Sequence, residues 1–328
     1  MTVCSPIRMN TAVMAFCFLT TKRMKNILIA TEKPFAPAAS EKIHKILTKA
    51  GYKVFTLENY TNKSELISAV QGIDAMIIRS DKVDREVLDA ADHLGIIVRA
   101  GAGYDNVDCD YAREKGVVVM NTPGQNANAV AELAIGLAIY GLREMFSGKS
   151  GRELRGQTLG LHGFGYVARN VFRIARALGM KVIVYTRYSK EAAAAIGLKN
   201  THSLEELYRK SDVVSIHVPA KGVHIGSVSY PILKELNDNA LIINTARKEV
   251  INEEDLLRIM EEKPGVKYLT DVEPTHKTLF AEKFKGRFYS TPKKMGAQTE
   301  EANSNAGKAA AEQIVAFLEH GDISCKVN

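Results

Sequence analysis

The sequence has few cysteines and no long apolar segment, and these absences exclude several classes of protein. Its four cysteines lie far apart and form no C-x-x-C pair, so neither a metal site, a redox pair nor a structural disulfide is expected. No segment approaches the roughly 20 apolar residues of a membrane-spanning helix. The expected protein is therefore cytoplasmic, in a reducing compartment, and has no membrane partner.

Basic residues outnumber acidic ones, but they form no continuous stripe. The net charge is +7 and the pI is about 9.0 over 328 residues, which suits an anionic small ligand. The lysines and arginines are scattered along the chain without interleaved aromatic residues, so nucleic acid is not an expected partner.

From residue 25 onward, short β-rich runs alternate with helical patterns. This alternation predicts parallel sheets covered by helices, so the expected fold class is α/β, with two doubly wound parallel-sheet domains and a cleft between them. The predicted parts are an N-terminal extension at 1–23 outside the fold, a substrate-binding domain at 24–120 and 302–328, and a dinucleotide-binding domain at 121–301. The helical pattern at 126–145 is apolar nearly all round, which predicts a buried helix and a homodimer formed through the dinucleotide-binding domain.

A glycine-rich loop follows the first strand pattern of the second domain. The motif Gly163-x-Gly165-x-x-Ala168 lies between the strand TLGLHG and the helical pattern VARNVFRIARALG, which is the setting of a dinucleotide-binding fingerprint. The first glycine permits a tight turn, the second lets the backbone approach a pyrophosphate, and the helix N-terminus supplies amide groups. The expected cofactor contacts in this loop are Gly163, Phe164, Gly165, Tyr166 and Val167.

The next strand pattern ends without the usual acidic residue. An NAD site normally has Asp or Glu here to bind the ribose hydroxyl groups, whereas this chain has Thr186 followed by Arg187. The missing carboxylate removes repulsion toward a 2′-phosphate, and Arg187 can pair with one. These residues by themselves slightly favour NADP, with an Arg187 that points to solvent as the alternative.

Six segments, in order along the chain, carry a resemblance to a known family. They are RAGAGYDNVD, NTPGQNANAVAEL, GLHGFG, SIHVPA, INTARKEVINEEDL and TDVEP. Together they resemble the D-isomer-specific 2-hydroxyacid dehydrogenases, from about residue 25 to the end. The resemblance implies an oxidoreductase that uses NAD to move a hydride to or from the carbon bearing the 2-hydroxyl group of a small anionic D-2-hydroxy acid.

The resemblance also assigns roles to residues of the second domain. Arg247 matches the arginine that binds the substrate carboxylate and keto oxygen, and a planar guanidinium suits two coplanar oxygens. Glu273 matches the acidic residue that orients the catalytic base, although DVEP is shorter than the common D-V-F-x-x-E-P. The implied cofactor contacts are His217, Pro219, Thr245, Ala246 and Asp271, with Asp271 near the nicotinamide carboxamide and His217 cofactor-adjacent rather than catalytic.

The first domain supplies the candidate substrate contacts. Ala102 and Gly103 would offer backbone N–H groups to the substrate carboxylate, and the alternative is an ordinary strand-to-helix turn. Arg79 and Ser80, which end the run AMIIRS, are the candidates for a substrate phosphate, with a plain surface pair as the alternative.

The proton carrier is where the chain departs most from the family. The common pattern is T-P-H-x-G-A, but this chain has TPKKMGA at 291–297, with one extra residue and no histidine. Counting back from Gly296 puts Lys294 at the histidine position, whereas counting forward from Pro292 puts Lys293 there. The glycine turn is the better anchor because it leads into the last helix, so Lys294 is the predicted catalytic residue and Lys293 a substrate-side neighbour. An ammonium can protonate a developing alkoxide, and burial beside other cations would lower its pKa.

Three functions are compatible with these residues. The leading expectation is interconversion of D-3-phosphoglycerate and 3-phosphohydroxypyruvate, the entry to serine synthesis, by a short enzyme with lysine in place of the catalytic histidine. A glyoxylate or hydroxypyruvate reductase is the alternative within the same class. An NADH-sensing binding protein without turnover is the alternative of another class, and the retained arginine, carboxylate and lysine argue against it.

Overall fold

The chain forms two α/β units, each built on a parallel sheet. The computed structural model describes residues 23–188, 194 and 197–328. One sheet has five strands and the other seven, and all the neighbouring strands are paired in parallel. The predicted fold class is therefore confirmed.

The first sheet has the strand order β2-β1-β3-β4-β5, which is doubly wound. Its strands are β1 (Asn26–Thr31), β2 (Lys53–Glu58), β3 (Ala75–Ile78), β4 (Ile96–Arg99) and β5 (Val118–Asn121). The helices between them are α1 (Pro37–Lys49), α2 (Lys63–Ala69), α3 (Arg85–Ala90) and α4 (Cys109–Glu114).

The second sheet has the order β12-β11-β10-β9-β6-β7-β8. Its strands are β6 (Thr158–His162), β7 (Lys181–Tyr185), β8 (Lys199–Asn200), β9 (Val213–Ile216), β10 (Leu241–Asn244), β11 (Lys267–Thr270) and β12 (Phe288–Ser290). The helices are α5 (Ala127–Leu142), α6 (Tyr166–Ala177), α7 (Leu204–Lys210), α8 (Tyr230–Leu233), α9 (Glu253–Glu262), α10 (Lys277–Lys283) and α11 (Glu300–His320). The order reverses between β6 and β9, which creates the crevice where such sheets bind ligands.

Successive residues of each strand pack on opposite faces of the first sheet, and each face has its own helices. Leu28 and Ala30 join the core under α2 to α4, whereas Ile27 and Ile29 join the core that includes α1 and α11. Helix α11 packs there through Ala306, Ala310 and Ile314, which share one face, so the chain returns to the first sheet after completing the second.

Helix α5 packs on the second sheet, not on the first. Ala131, Ala134, Ile135 and Ala138 are buried with residues of β6 and β10, while Ile139 stays 38% exposed. The predicted burial of this helix thus holds for one face. The predicted N-terminal extension lies outside the described residues, except Arg23, and stays a prediction. No helix in the described ranges has the length and apolar character needed to cross a membrane.

Candidate active site

The predicted site residues follow the carboxyl ends of strands in both sheets. Parallel strands bring such ends to one edge, where open α/β sheets bind their ligands. The set comprises Arg79 and Ser80 after β3, Ala102 and Gly103 after β4, residues 163–167 after β6, Thr186 and Arg187 after β7, His217 and Pro219 after β9, Thr245 to Arg247 after β10, Asp271 and Glu273 after β11, and Lys293 and Lys294 after β12.

The glycine loop has the geometry that a pyrophosphate needs. Gly163 has φ +95°, and a Cβ there would lie 2.8 Å from Val218 Cγ1, so only glycine fits. Above Gly165 there is open space, with no heavy atom within 4 Å of a Cβ position, and α6 begins at the next residue. Ala168 is fully buried beneath it. The N-terminus of α6 therefore faces a space that a phosphate group can enter.

Side chains of the same loop divide between core and surface. Phe164 is buried and Val167 packs against the same core, so both anchor the loop rather than face a ligand. Tyr166 is 60% exposed and its ring lies against Gly124, where a Cβ would be 2.9 Å from Tyr166 Cδ1. The loop thus offers a ligand mainly its backbone.

Buried polar atoms without a hydrogen-bond partner gather at this edge of the second sheet. In the described part of the chain they include Ser215 Oγ and His217 Nε2 at the end of β9 and Thr245 Oγ1 after β10. Burial and then the charge of His162 lower the pKa of His217 to about 3, so its imidazole is neutral and keeps an acceptor nitrogen. A dinucleotide, with its ribose hydroxyls and carboxamide, fits such unsatisfied groups.

The end of β7 is basic. The Thr186 amide donates to Asn200 Oδ1 at 3.3 Å, and Arg187 is exposed. Arg169 of α6 hydrogen-bonds the Tyr188 hydroxyl and lies 5.9 Å from the centre of its ring. Within the described residues this strand end carries no carboxylate, and residues 189–193, which follow directly, are not among them.

Arg247 is held by its own strand end and reaches across the cleft. The buried Asn244 accepts a hydrogen bond from the Ala246 amide at 3.0 Å and donates one to the Arg247 carbonyl at 3.0 Å. The guanidinium donates to the Ala246 carbonyl at 2.9 Å and pairs with Asp105 Oδ2 at 3.2 Å. Because Asp105 follows β4 of the first sheet, Arg247 links the two domains.

Two guanidinium groups flank one short loop of the first domain. A Cβ on Gly103 would lie 2.7 Å from Arg247 Nη2, and one on Gly101 would lie 1.5 Å from Arg99 Nη1. The Arg99 Nε donates to the Arg79 carbonyl at 2.9 Å, but across the described chain its terminal nitrogens and the amides of Ala102 and Gly103 have no protein acceptor. These donors are free to bind an anionic ligand.

Arg99 was not among the predicted site residues. Burial, then the charges of Arg79 and Arg247, lower its pKa to about 10, so the group is held where positive charge is unfavourable. The signal in the sequence was its place at the end of β4, directly before the loop AGAGYDN. A charged residue that ends a buried parallel strand faces the ligand edge of the sheet.

Arg79 is used by the protein itself. Its Nη1 donates to the carbonyls of Lys33 at 2.8 Å and Pro34 at 2.9 Å, and its Nη2 donates to Asn303 Oδ1 at 2.7 Å. Arg79 therefore ties the segment after β1 to helix α11. Ser80 is exposed beside it. Their predicted role in binding a phosphate stays a prediction.

Lys294 interacts electrostatically with residues of both domains. Burial lowers the pKa of its ammonium below the ordinary value, and the charge of Arg247 lowers it further, while Asp271 acts in the opposite sense. The residue as a whole is nevertheless exposed. Lys293 is exposed too, and in the described structure no hydrogen bond or ion pair joins it to another residue.

The two predicted carboxylates lie in different surroundings. Asp271 is 2% exposed and its carboxylate is hydrogen-bonded to the loop that carries Lys294. Glu273 has a side chain 60% exposed and pairs with Lys277 at 3.1 Å. Among the described residues no hydrogen bond or ion pair joins Glu273 to Lys294. Its predicted role as the orienting carboxylate stays a prediction.

A dinucleotide-type crevice that faces a cationic cleft between two α/β units defines the class of protein: a two-domain, nucleotide-dependent dehydrogenase. Residues 28–328 match the profile of the D-isomer specific 2-hydroxyacid dehydrogenase, catalytic domain. The chain belongs to this family. The predicted family is confirmed, and with it the NAD-dependent dehydrogenase class.

Relatives and solved structures agree with this membership. The chain is similar to the NAD+-bound 3-phosphoglycerate dehydrogenase of Entamoeba histolytica, with 46% identity, a TM-score of 0.85, and coverage of 93% of this chain and 99% of that one. It is 36% identical to a hydroxypyruvate reductase of Thermotoga maritima over 60% of this chain and 68% of the relative. It is 34% identical to a D-3-phosphoglycerate dehydrogenase of Methanocaldococcus jannaschii over 78% of this chain, but spans only 52% of that relative's length.

Proposed function

We propose that this protein interconverts D-3-phosphoglycerate and 3-phosphohydroxypyruvate with NAD. The observation that carries the proposal is the pair of guanidinium groups that flank the loop at 101–103. The Arg247 guanidinium lies next to Gly103 and the Arg99 guanidinium next to Gly101. A substrate with a carboxylate at one end and a phosphate at the other suits two cationic groups set apart in this way. The similarity to phosphoglycerate dehydrogenases supports the same substrate.

In this proposal Arg247 orients the keto acid. Its fork pairs with the carboxylate and the keto oxygen, while the free amides of Ala102 and Gly103 bind the same carboxylate from the other domain. Asp105, which pairs with Arg247 at 3.2 Å, has to release the guanidinium as the substrate enters. Arg99 then takes the phosphate, since Arg79 is already bonded to protein acceptors.

Lys294 moves the proton in this proposal. As an ammonium it donates a proton to the oxygen that becomes the hydroxyl group, and as a neutral amine it accepts that proton in the reverse direction. When bound, the nicotinamide supplies or accepts the hydride. Residues 163–167, His217, Pro219, Thr245, Ala246 and Asp271 are the groups that would hold it. Burial, and then the charges of Arg247 and Arg99, lower the pKa of Lys294, which brings the neutral form closer to physiological pH.

Turnover with paired substrates and cofactors tests the proposal. NADH and NADPH absorbance should be followed with phosphohydroxypyruvate, hydroxypyruvate and glyoxylate separately. We expect kcat/KM to be highest for phosphohydroxypyruvate with NADH. Preference for glyoxylate or hydroxypyruvate would favour the reductase. In that case Thr186 and Arg187 lead us to expect NADPH as its cofactor. Binding of NADH without turnover of any of these acids would favour the sensor.

Paired lysine variants test the proton carrier. Lys294→Ala should lower kcat by roughly 100-fold or more, the usual contribution of a general acid, while NADH still binds. Lys293→Ala is the matched control, one residue away in the same loop and also exposed, and should stay within a few-fold of the parent. A dead Lys293 variant beside an active Lys294 variant would reverse the assignment.

Exposed apolar side chains in α5, after α5 and after α6 support a homodimer formed through the dinucleotide-binding domain. Ile139 and Leu178 are 38% and 41% exposed, and Phe146 is 67% exposed. Phe146 ends a turn in which three consecutive non-glycine residues have φ of 53° to 56°, an unfavourable backbone that presents the ring outward.

We also infer that the chain divides into a substrate-binding domain at 24–120 with 302–328 and a dinucleotide-binding domain at 121–301, and that its location is cytoplasmic.

A further inference from the structure

One carboxylate ties both ends of the loop that carries the two lysines. The loop runs from Thr291, at the end of β12, to Gly296. Asp271 Oδ1 accepts hydrogen bonds from the Thr291 hydroxyl at 2.9 Å and from the Met295 amide at 2.8 Å, and Oδ2 accepts one from the Gly296 amide at 2.9 Å. All three donors belong to this loop, and the carboxylate is buried.

The position of the carboxylate is itself fixed by the sheet. The Asp271 amide donates to the Asn244 carbonyl at 3.0 Å, which continues the pairing of β11 with β10. Asn244 also braces the turn that carries Arg247. The loop at 291–296 and the turn that carries Arg247 are therefore both held by the adjacent ends of β10 and β11.

The hydrogen bonds to Asp271 hold the chain beside only one of the two lysines. The bonded Met295 amide belongs to the peptide unit that directly follows Lys294, and the bonded Gly296 amide to the next one, so the chain is held immediately after Lys294, whereas Lys293 lies in the span that is not bonded to Asp271. We propose that Asp271 is a positioning residue that fixes the 291–296 loop so that Lys294, and not Lys293, faces Arg247. This rests on the proposed role of Lys294 as proton carrier. It also means that Asp271, rather than Glu273, is the carboxylate that positions that lysine.

Charge gives Asp271 a second effect on Lys294. Burial and the positive charges of Arg247 and Arg99 disfavour the Lys294 ammonium, and the charge of Asp271, with a smaller effect of Asp105, opposes them and keeps the ammonium form available for proton donation. Glu273 cannot replace it from its position, because its carboxylate is solvent-exposed and paired with Lys277 at 3.1 Å.

Three substitutions perturb the contact in different ways. Asp271→Asn keeps the shape, but in either amide orientation at least one of the three donors faces an NH2 group instead of an acceptor. Thr291→Val removes only the hydroxyl bond and leaves the carboxylate charge. Gly296→Ala would place a Cβ 2.9 Å from Asp271 Oδ2 and so push the loop away. The last two also keep the test open if Asp271→Asn does not fold.

Amide hydrogen exchange, measured on the substrate-free protein, tests the loop contact directly. The peptide covering 291–297 should exchange about 10-fold faster or more in Asp271→Asn and Gly296→Ala, and less so in Thr291→Val. The matched control is Glu261→Gln, which removes a surface carboxylate paired with Lys283 at 2.7 Å and should change nothing. Unchanged exchange in all three loop variants would overturn the proposal.

Kinetics test the effect on Lys294. At saturating NADH, kcat should fall roughly 10- to 1,000-fold in Asp271→Asn, and the pH at which keto-acid reduction declines should move lower. Thr291→Val should lower kcat in the same direction with unchanged NADH affinity, which separates loop positioning from any contact of Asp271 with the nicotinamide. A pH shift in Glu273→Gln, with none in Asp271→Asn, would overturn the proposal.

Acetylation of Lys294 as a function of pH, read by peptide mass spectrometry without substrate, keeps this test independent of turnover. Its midpoint should fall in Asp271→Asn, because only the neutral amine reacts. If the parent turns over no hydroxy acid while the exchange and acetylation results hold, the proposed function fails and the loop contact stands. If turnover is present and neither measurement responds, the loop contact fails and the function stands.

Discussion

Replacement of Arg99 by glutamine should separate phosphorylated from non-phosphorylated substrates. Its two terminal nitrogens have no protein acceptor in the described chain and flank the loop at Gly101. A charge-assisted hydrogen bond contributes about 1.5–3 kcal/mol, and two that share one group are not additive, so we expect a loss of about 2–4 kcal/mol. Since 1.4 kcal/mol is tenfold, kcat/KM for phosphohydroxypyruvate should fall roughly 30- to 1,000-fold.

The same substitution should leave hydroxypyruvate nearly untouched, within about threefold, because that acid has no phosphate to lose. The ratio of the two kcat/KM values is therefore the quantity to measure, by NADH absorbance at fixed pH and low salt. The fold should not suffer, since burial and neighbouring positive charges already disfavour the Arg99 cation and lower its pKa to about 10.

Arg79→Gln is the matched control. Arg79 donates three hydrogen bonds to Lys33, Pro34 and Asn303, so its loss should lower the melting temperature rather than the substrate ratio. An equal fall in kcat/KM for both substrates in Arg99→Gln would refute the assignment of the phosphate to Arg99. Loss of the preference for the phosphorylated acid in Arg79→Gln would refute it too.

Three further outcomes test other parts of the site. The rate of keto-acid reduction should be constant at low pH and fall as pH rises through the lowered pKa of Lys294, because this direction needs the ammonium, while the rate of hydroxy-acid oxidation should rise over the same range. A pH series measured in both directions checks this. A pH dependence that persists in Lys294→Ala would contradict it. Gly103→Ala should lower kcat/KM about 100-fold with NADH affinity unchanged, because its Cβ would lie 2.7 Å from Arg247 Nη2 and displace the guanidinium. A kcat/KM equal to that of the parent would show that this contact does not position the arginine. Phe146→Asp should convert a dimer into a monomer in sedimentation experiments, and a dimer that persists would locate the interface elsewhere.

Much of the fold could be predicted because buried parallel strands read as continuous apolar runs. LIIN of β10 and VVSI of β9 are wholly buried, and such runs are visible without any tertiary information. The glycine loop was predictable for a local reason: Gly163 has a positive φ in the turn between a strand and a helix, and glycine is the residue that adopts it most readily. The short helix Cys109–Glu114 could not be predicted, since six residues give too little periodicity to show a helical pattern.

The sequence by itself determined the class of fold, the dinucleotide loop and the segments that could carry chemistry, because these depend on residue type and local spacing. Tertiary structure decided the partners of those residues. Arg79 and Arg99 follow or end neighbouring strands, yet the packing of the segment after β1 and of α11 gives the terminal nitrogens of Arg79 three protein acceptors and gives those of Arg99 none within the described chain. Likewise the lysine pair is readable in the sequence, but Asp271 contacts its loop only because β11 and β12 are adjacent strands.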